Sequence, residues 1–207
     1  MSMHRQAMVR GLADVLAVLA VLGLIAACGS PAPAARLVQL RAASPGLPAS
    51  AGTVADSLAT TAWQLVLPLR LPDYLDRDAI LVPQGQAGLV PISGYRWAEP
   101  LREAVPRLVR ADLATLLGES RVWSSPLPPG VTVQRQLRVE MLAFESNQQR
   151  TAVLLNARWS IVDPSGKTPP RADSAQISVA VAAADVDSLV AAHRLALWQM
   201  AQRIVRP

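Results

Sequence analysis

The sequence predicts an α+β fold: a mostly antiparallel sheet with two amphipathic helices packed on one face, forming a single domain. Three observations predict it. Three runs in the second half, Val131 to Phe144, Arg150 to Asp163 and Asp173 to Ala183, alternate apolar and polar residues, which marks antiparallel strands with one wet face. Two other stretches place apolar residues three and four apart, the spacing of a helix with one buried stripe. Polar turns at Ser146-Asn147-Gln148 and Asp163-Pro164-Ser165-Gly166 are short enough to join neighbouring strands directly. Strands, a helix, a three-stranded meander and a closing helix, in that order, give the α+β class.

The chain opens with an export signal. Arg5 and Arg10 precede an 11-residue apolar stretch, Val15 to Ile25, and small residues follow; this is the order of a secretory signal peptide. A membrane-spanning helix over Val15 to Ala27 is the competing reading. Its length argues against it, because a span needs about 20 apolar residues and Asp14 cuts the run at its start. Ile25-Ala26-Ala27-Cys28 resembles the lipobox of bacterial lipoprotein precursors, an aliphatic residue and two small ones before a cysteine. That resemblance implies cleavage before Cys28, a thioether-linked diacylglycerol on its thiol, and an N-acyl chain such as palmitate. Two acyl chains make a lasting anchor, so the mature protein is tied to a membrane without spanning it. Gly29 follows the cysteine where retained inner-membrane lipoproteins carry Asp, which makes the outer membrane, facing the periplasm, the default destination. Residues 1–27 are thus the signal peptide, 28–35 the lipidated tether, and 36–207 the domain.

The tether Gly29 to Ala35 is rich in Pro and Ala and stiff enough to hold a domain off the bilayer. Arg36 to Arg41 follows as a first strand. After a loop rich in Pro, Gly, Ser and Ala (Ala42 to Ala55), Trp63, Leu65, Leu67 and Leu69 share one face of a second. Ala79 to Val82 and Gly88 to Ile92 flank the turn signal Pro83-Gln84-Gly85. A helix begins near Pro100, with Leu101, Val105, Leu108, Val109, Leu113 and Leu116 as its stripe and Gly118 as its end. Pro106 predicts a kink, or a helix whose regular part starts near Val105, because an interior proline removes one hydrogen bond and clashes with the preceding turn. In the meander, Leu137, Val139 and Met141 face one side, as do Val153, Leu155, Ala157, Trp159 and Ile161, and Ala175, Ile177, Val179 and Val181. Asp185 caps the closing helix, Asp185 to Val205. Leu189, Ala192, Ala196, Met200 and Ile204 face the sheet, with Trp198 near the flank.

Composition narrows the function classes. Removing residues 1–27 leaves 180 residues, enough for one core, and lowers the net charge from +5 to +4. The basic residues are 19 Arg and the single Lys167, with no basic block of five or more. That pattern is codon bias rather than a nucleic-acid footprint, and export removes such a partner. Cys28 is the only cysteine; its lipidation leaves no thiol, so no disulfide is expected. His193 is the sole histidine of the mature chain, with no ligand at metal spacing and no nucleophile motif. Asp185 and Asp187 precede a helix, where carboxylates cap. Asp73, Asp76 and Asp78 lack the glycine and distal glutamate of a calcium loop. The expectation is a protein with no catalytic site, no metal and no cofactor apart from the lipid on Cys28.

Three segments carry a family resemblance: Leu71-Pro72-Asp73-Tyr74-Leu75-Asp76-Arg77, Tyr95-Arg96-Trp97-Ala98-Glu99-Pro100-Leu101, and Leu189-Val190-Ala191-Ala192 in the closing helix. Together, and in this order from about Arg36 to Val205, they resemble the ABC-type transport auxiliary lipoproteins of the PqiC-like group. Pro106 and the long loop before Asp56 are departures from that pattern. The resemblance implies a periplasm-facing outer-membrane lipoprotein, without a known catalytic site, that works with MCE-type lipid-binding proteins and an inner-membrane transport component. MCE proteins form rings, so a homo-oligomer of this subunit is also expected, a monomer capping its partner being the competing idea. An outer-membrane assembly lipoprotein resembling the lipopolysaccharide-transport lipoprotein LptE is the second reading.

Tyr74, Leu75 and Arg77 at a strand exit, with Arg96 and Trp97 at the entry to a helix, are the candidate partner contacts. Each has a plainer role. Asp76 and Arg77 can satisfy a local turn, Trp97 can be a packing anchor, and Glu99 gains from the helix dipole whatever it touches.

Overall fold

The computed structural model of the chain describes residues 34–41 and 61–206. Cys28, the tether before Ala34 and the loop Ala42 to Ala55 lie outside the described residues. From Ala35 on, the chain is one compact unit with eight strands and two α-helices among the described residues.

The meander is the backbone of the fold. Strands β6 (Arg135–Ser146), β7 (Ala152–Val162) and β8 (Arg171–Ala180) pair antiparallel, Leu137 opposite Ile161 and Leu155 opposite Ile177. Their alternating residues divide cleanly: Val153, Leu155, Ala157, Trp159 and Ile161 are all buried, while Leu154 and Arg158 are exposed. Asp163 ties the β7–β8 turn. It accepts from the hydroxyl and N–H of Ser165 (2.7 and 2.8 Å) and from the hydroxyl and N–H of Thr168 (2.8 and 3.1 Å). Those bonds favour the ionised carboxylate and hold its pKa at about 2.

One irregularity in β6 has consequences. The register shifts between Met141 and Ala143, so Leu142 is an extra residue, 50% exposed. A bulge of this kind re-aims every side chain beyond it. Phe144 and Ser146 therefore turn inward, although they lie out of phase with Leu137, Val139 and Met141.

The strands form two sheets rather than one: β1 (Arg36–Val38), β4 (Gly88–Trp97) and β3 (Ala79–Gln84) form the smaller, in the order β1-β4-β3. The larger runs β5-β2-β6-β7-β8, with β2 Trp63–Leu65 and β5 Val122–Ser124. Pairing is mostly antiparallel, as expected, with parallel exceptions at β1 and β2. β1 runs parallel to β4, and β2 runs parallel to both β5 and β6. Each of these strands is separated from its partner by a long connection, which allows a parallel return that no tight turn could make. The central position of β2 also explains why Gln64, between two inward apolar residues, is 8% exposed. Its amide donates to Ser125 Oγ at 3.1 Å, and its Oε1 accepts from Gln136 at 2.9 Å.

The helices cover one face of the larger sheet. Helix α1 spans Leu101–Leu117 without interruption, Pro106 included, and Pro100 sits just before it as the N-cap. The carbonyl that loses its donor to Pro106 belongs to Arg102, an exposed residue, so water can satisfy it. Gly118, at φ 108°, ends the helix in a conformation that L side chains rarely adopt. Helix α2, Val186–Ile204, is capped by Asp185, which accepts from Ser188 N–H at 2.7 Å. It packs across β7 and β8, and α1 packs on α2 and β5. The predicted inward residues of α2 are buried, and Trp198 is buried with them at 3%.

Candidate functional site

The five candidate contact residues separate into two layers. Asp73–Leu75 form one 3₁₀ turn, closed by Leu75 N–H to Pro72 O (3.0 Å). Leu75, expected at the surface, points inward and is 7% exposed; Trp97 is 6% exposed. Tyr74 is half-buried against the same core, and burial, with the Glu145 carboxylate beside it, pushes its hydroxyl up to about 12. Arg77 and Arg96 stay outside. Arg96 pairs with Asp78, and Arg102 with Asp76, so two surface ion pairs fasten this loop to β4 and α1. Glu99 does similar work, accepting from Arg107 and from Gln39 Nε2 at 3.1 Å. The accessible members of the set are Arg77, Arg96 and the edge of Tyr74.

Leu75 and Trp97 meet α2 at His193. The imidazole stands edge-on to Phe144 (centroids 4.9 Å) and to Trp97 (5.8 Å). Its Nδ1 lies 2.8 Å from Leu189 O; a carbonyl only accepts, so Nδ1 carries the hydrogen. The ring is 4% exposed, and burial drives its pKa from 6.5 to about 4, against the weaker upward pull of the Leu189 bond. The folded pKa lies below the unfolded one, so this stability is present above pH 6.5 and lost as the pH falls towards 4. About 3 kcal/mol is at stake. The purified protein is therefore expected to melt markedly lower at pH 4 than at pH 7, and His193→Phe to flatten that window. An unchanged slope in the variant would assign the acid sensitivity elsewhere.

A groove of about 720 Å³ opens on the helix-free face of the larger sheet. It owes its shape to the chain after β2. Val66 N–H still bonds Leu137 O (2.9 Å), and Arg70 rejoins β6 through Met141 N–H to Arg70 O (2.8 Å) and Arg70 N–H to Val139 O (3.3 Å). Leu67 and Pro68, between them, leave the sheet and stand as a wall. Across from that wall are Arg138 and Glu140 on β6, Arg158 and Ser160 on β7, and Ser174 on β8. Arg158 donates to Glu140 at 2.6 Å, and this bond holds the carboxyl below its usual range. None of these residues was singled out from sequence. Their signal was present: Arg138 and Glu140 occupy the wet half of an alternating strand, and Arg158 the wet half of the next. Only the register places Arg158 opposite Glu140 and brings Arg70 beside it.

The family model described as ABC-type transport auxiliary lipoprotein component matches residues 46–205. A crystal structure of an uncharacterized protein superposes with a TM-score of 0.59 at 20% identity, covering 70% of this chain and 90% of that one. Protein XCC0632 from Xanthomonas campestris gives 0.58 at 17% identity, over 83% of this chain and 93% of its own. Both share the fold. The PelC dodecamer from Paraburkholderia phytofirmans is a looser likeness, with a TM-score of 0.39 at 8% identity over 76% of this chain and 90% of that one, too loose to bear on function. No curated protein matches the chain.

Proposed function

Because the chain belongs to the ABC-type transport auxiliary lipoprotein component family, we propose that it is the lipid-anchored, periplasm-facing outer-membrane subunit of an MCE-type intermembrane lipid transport system. The family match over residues 46–205 carries this reading. Two features support it. The Ile25-Ala26-Ala27-Cys28 lipobox supplies an anchor, and among the described residues no helix is long and apolar enough to cross a membrane. Cys28 holds the protein to the bilayer, and the folded unit from Ala35 on meets the partners. Arg77, Arg96 and the exposed edge of Tyr74 are the proposed contacts with the MCE protein, Leu75 and Trp97 holding them in place from beneath. Arginine suits an interface better than lysine, through its bidentate fork and weaker hydration.

Affinity purification of the tagged lipoprotein from its own host tests the assignment. An MCE-domain protein and an inner-membrane permease are the expected companions. Recovery of an outer-membrane barrel alone would overturn this reading in favour of the LptE-like one, to which the family match lends no support. The subunit is further proposed to be a homo-oligomer, since repeated contacts on a ring-shaped partner gain avidity from high effective concentration. Light scattering of the detergent-extracted lipoprotein at micromolar concentration decides that point. Monomer mass would sink the oligomer and leave the transport role standing.

A further inference from the structure

The geometry points to the groove beside Leu67 and Pro68 as a binding site for a single-chain amphiphile with a phosphate-bearing head group. Its volume, about 720 Å³, lies inside the roughly 300–1,000 Å³ range of small-molecule pockets. Its two sides differ in chemistry. Leu67 and Pro68 present an apolar wall, and the facing strands present guanidinium groups. An amphiphile is the ligand class that needs both.

Charge supports the head-group end. Three arginines, Arg70, Arg138 and Arg158, line the groove with two carboxylates, Glu140 and Asp173. Both carboxylates are engaged: Glu140 by Arg158 at 2.6 Å, and Asp173 by Arg171 at 3.5 Å and by Ser174 N–H at 2.8 Å. Among the described residues, neither Arg70 nor Arg138 forms an ion pair. They flank the same carboxylate. The Arg70 backbone bridges to that of Glu140 across the sheet, and its charge helps to hold the Glu140 carboxyl low; Arg138 lies two residues before Glu140 on the same face, about 7 Å along the strand. Each guanidinium can donate to one of the two non-bridging oxygens of a phosphodiester. Ser160 and Ser174 add hydroxyls to the floor. A phosphodiester head seated on Arg70 and Arg138 would lay its chain along Leu67 and Pro68.

The inference rests on the proposed transport role only for the source of such a ligand. Its test uses the detergent-extracted lipoprotein and native mass spectrometry, with three probes: lysophosphatidylglycerol, the uncharged monoolein, and inorganic phosphate. Lysophosphatidylglycerol is expected to bind at least about tenfold tighter than either of the others, the size of one charge-assisted contact. The double variant Arg70→Gln/Arg138→Gln, both at exposed positions, is expected to lose at least tenfold in that binding with an unchanged melting temperature. Ser174→Phe, which fills the groove from β8, is expected to lose it as well. Inorganic phosphate binding as tightly as the lipid would overturn the amphiphile in favour of a free anion. Equal binding of monoolein, or full binding in both variants, would overturn the site. Should binding fail while the MCE and permease companions still co-purify, this inference falls alone.

Discussion

Cys28→Ala is expected to bring metabolic labelling by a palmitate analogue down to background and to leave the chain at precursor length. The cause is covalent. Only the thiol can form the thioether, and Cys28 is the only cysteine in the chain. Without the diacylglycerol, cleavage before residue 28 does not follow, and the intact mass keeps the 27 residues of the signal. The size of the effect comes from the anchor's arithmetic. Each buried methylene contributes about 0.8 kcal/mol, and two or more chains together hold a protein on a bilayer for long times. Among the described residues no helix is long and apolar enough to cross a membrane. Label retained on the variant would remove the basis of the anchored reading.

The largest effect on stability is expected at Arg194→Met. Arg194 lies in the middle of α2 with its side chain 3% exposed, against an Asp112 side chain on α1 that is 2% exposed. The contact is bidentate: Nη1 donates to one carboxylate oxygen at 2.8 Å and Nη2 to the other, while Nε reaches Arg41 O at 2.9 Å. One guanidinium thus ties two helices and the segment after β1. Removing it strands a buried carboxylate, which costs about 3–5 kcal/mol, a large share of a domain's total stability. Replacing both partners, as Asp112→Leu/Arg194→Met, is expected to recover most of the loss, because it leaves no uncompensated charge.

The pH dependence follows with a definite sign. Burial pushes Asp112 above its usual range, and Arg194 pulls it back without cancelling the push. In Arg194→Met only the upward push remains. A carboxyl with a raised folded pKa contributes stability that is present below its unfolded value, near 4, and lost as the pH rises through the folded one. The single variant should therefore be relatively more stable in acid than at neutrality, opposite to the trend expected from His193. Urea midpoints at two pH values, for wild type and both variants, separate the two effects. A single variant within 1 kcal/mol of wild type at neutral pH would show that Asp112 finds another partner.

Some of this was legible in the sequence and some was not, for physical reasons visible in single residues. The helix stripe Leu101, Val105, Leu108, Val109, Leu113 and Leu116 is buried as its spacing predicts, because a helix's faces are set by neighbours three and four residues away. Asp112 sits within that stripe, and a carboxylate there was a readable sign of a buried partner. Its identity was not readable, because Arg194 lies 82 residues further on. Leu75 looked like a surface residue because its neighbours Asp73, Asp76 and Arg77 are polar. One 3₁₀ turn sends it inward. β5 is three residues long, too short for any period to show.

The sequence alone determined what depends on contiguous residues: the α+β class, the meander, the two helices with their buried stripes, and the family resemblance. Tertiary structure decided what depends on register and on contacts between distant segments. These are the split into two sheets, the parallel course of β1 and β2, the bulge at Leu142 that turns Phe144 onto His193, the Asp112–Arg194 pair, and the groove that gathers Arg70, Arg138 and Arg158. The physical reason is the range of the forces. Backbone periodicity is local and leaves its mark within a few residues. Strand register and buried charge pairing are settled between segments that chain length separates and only the closed fold brings together.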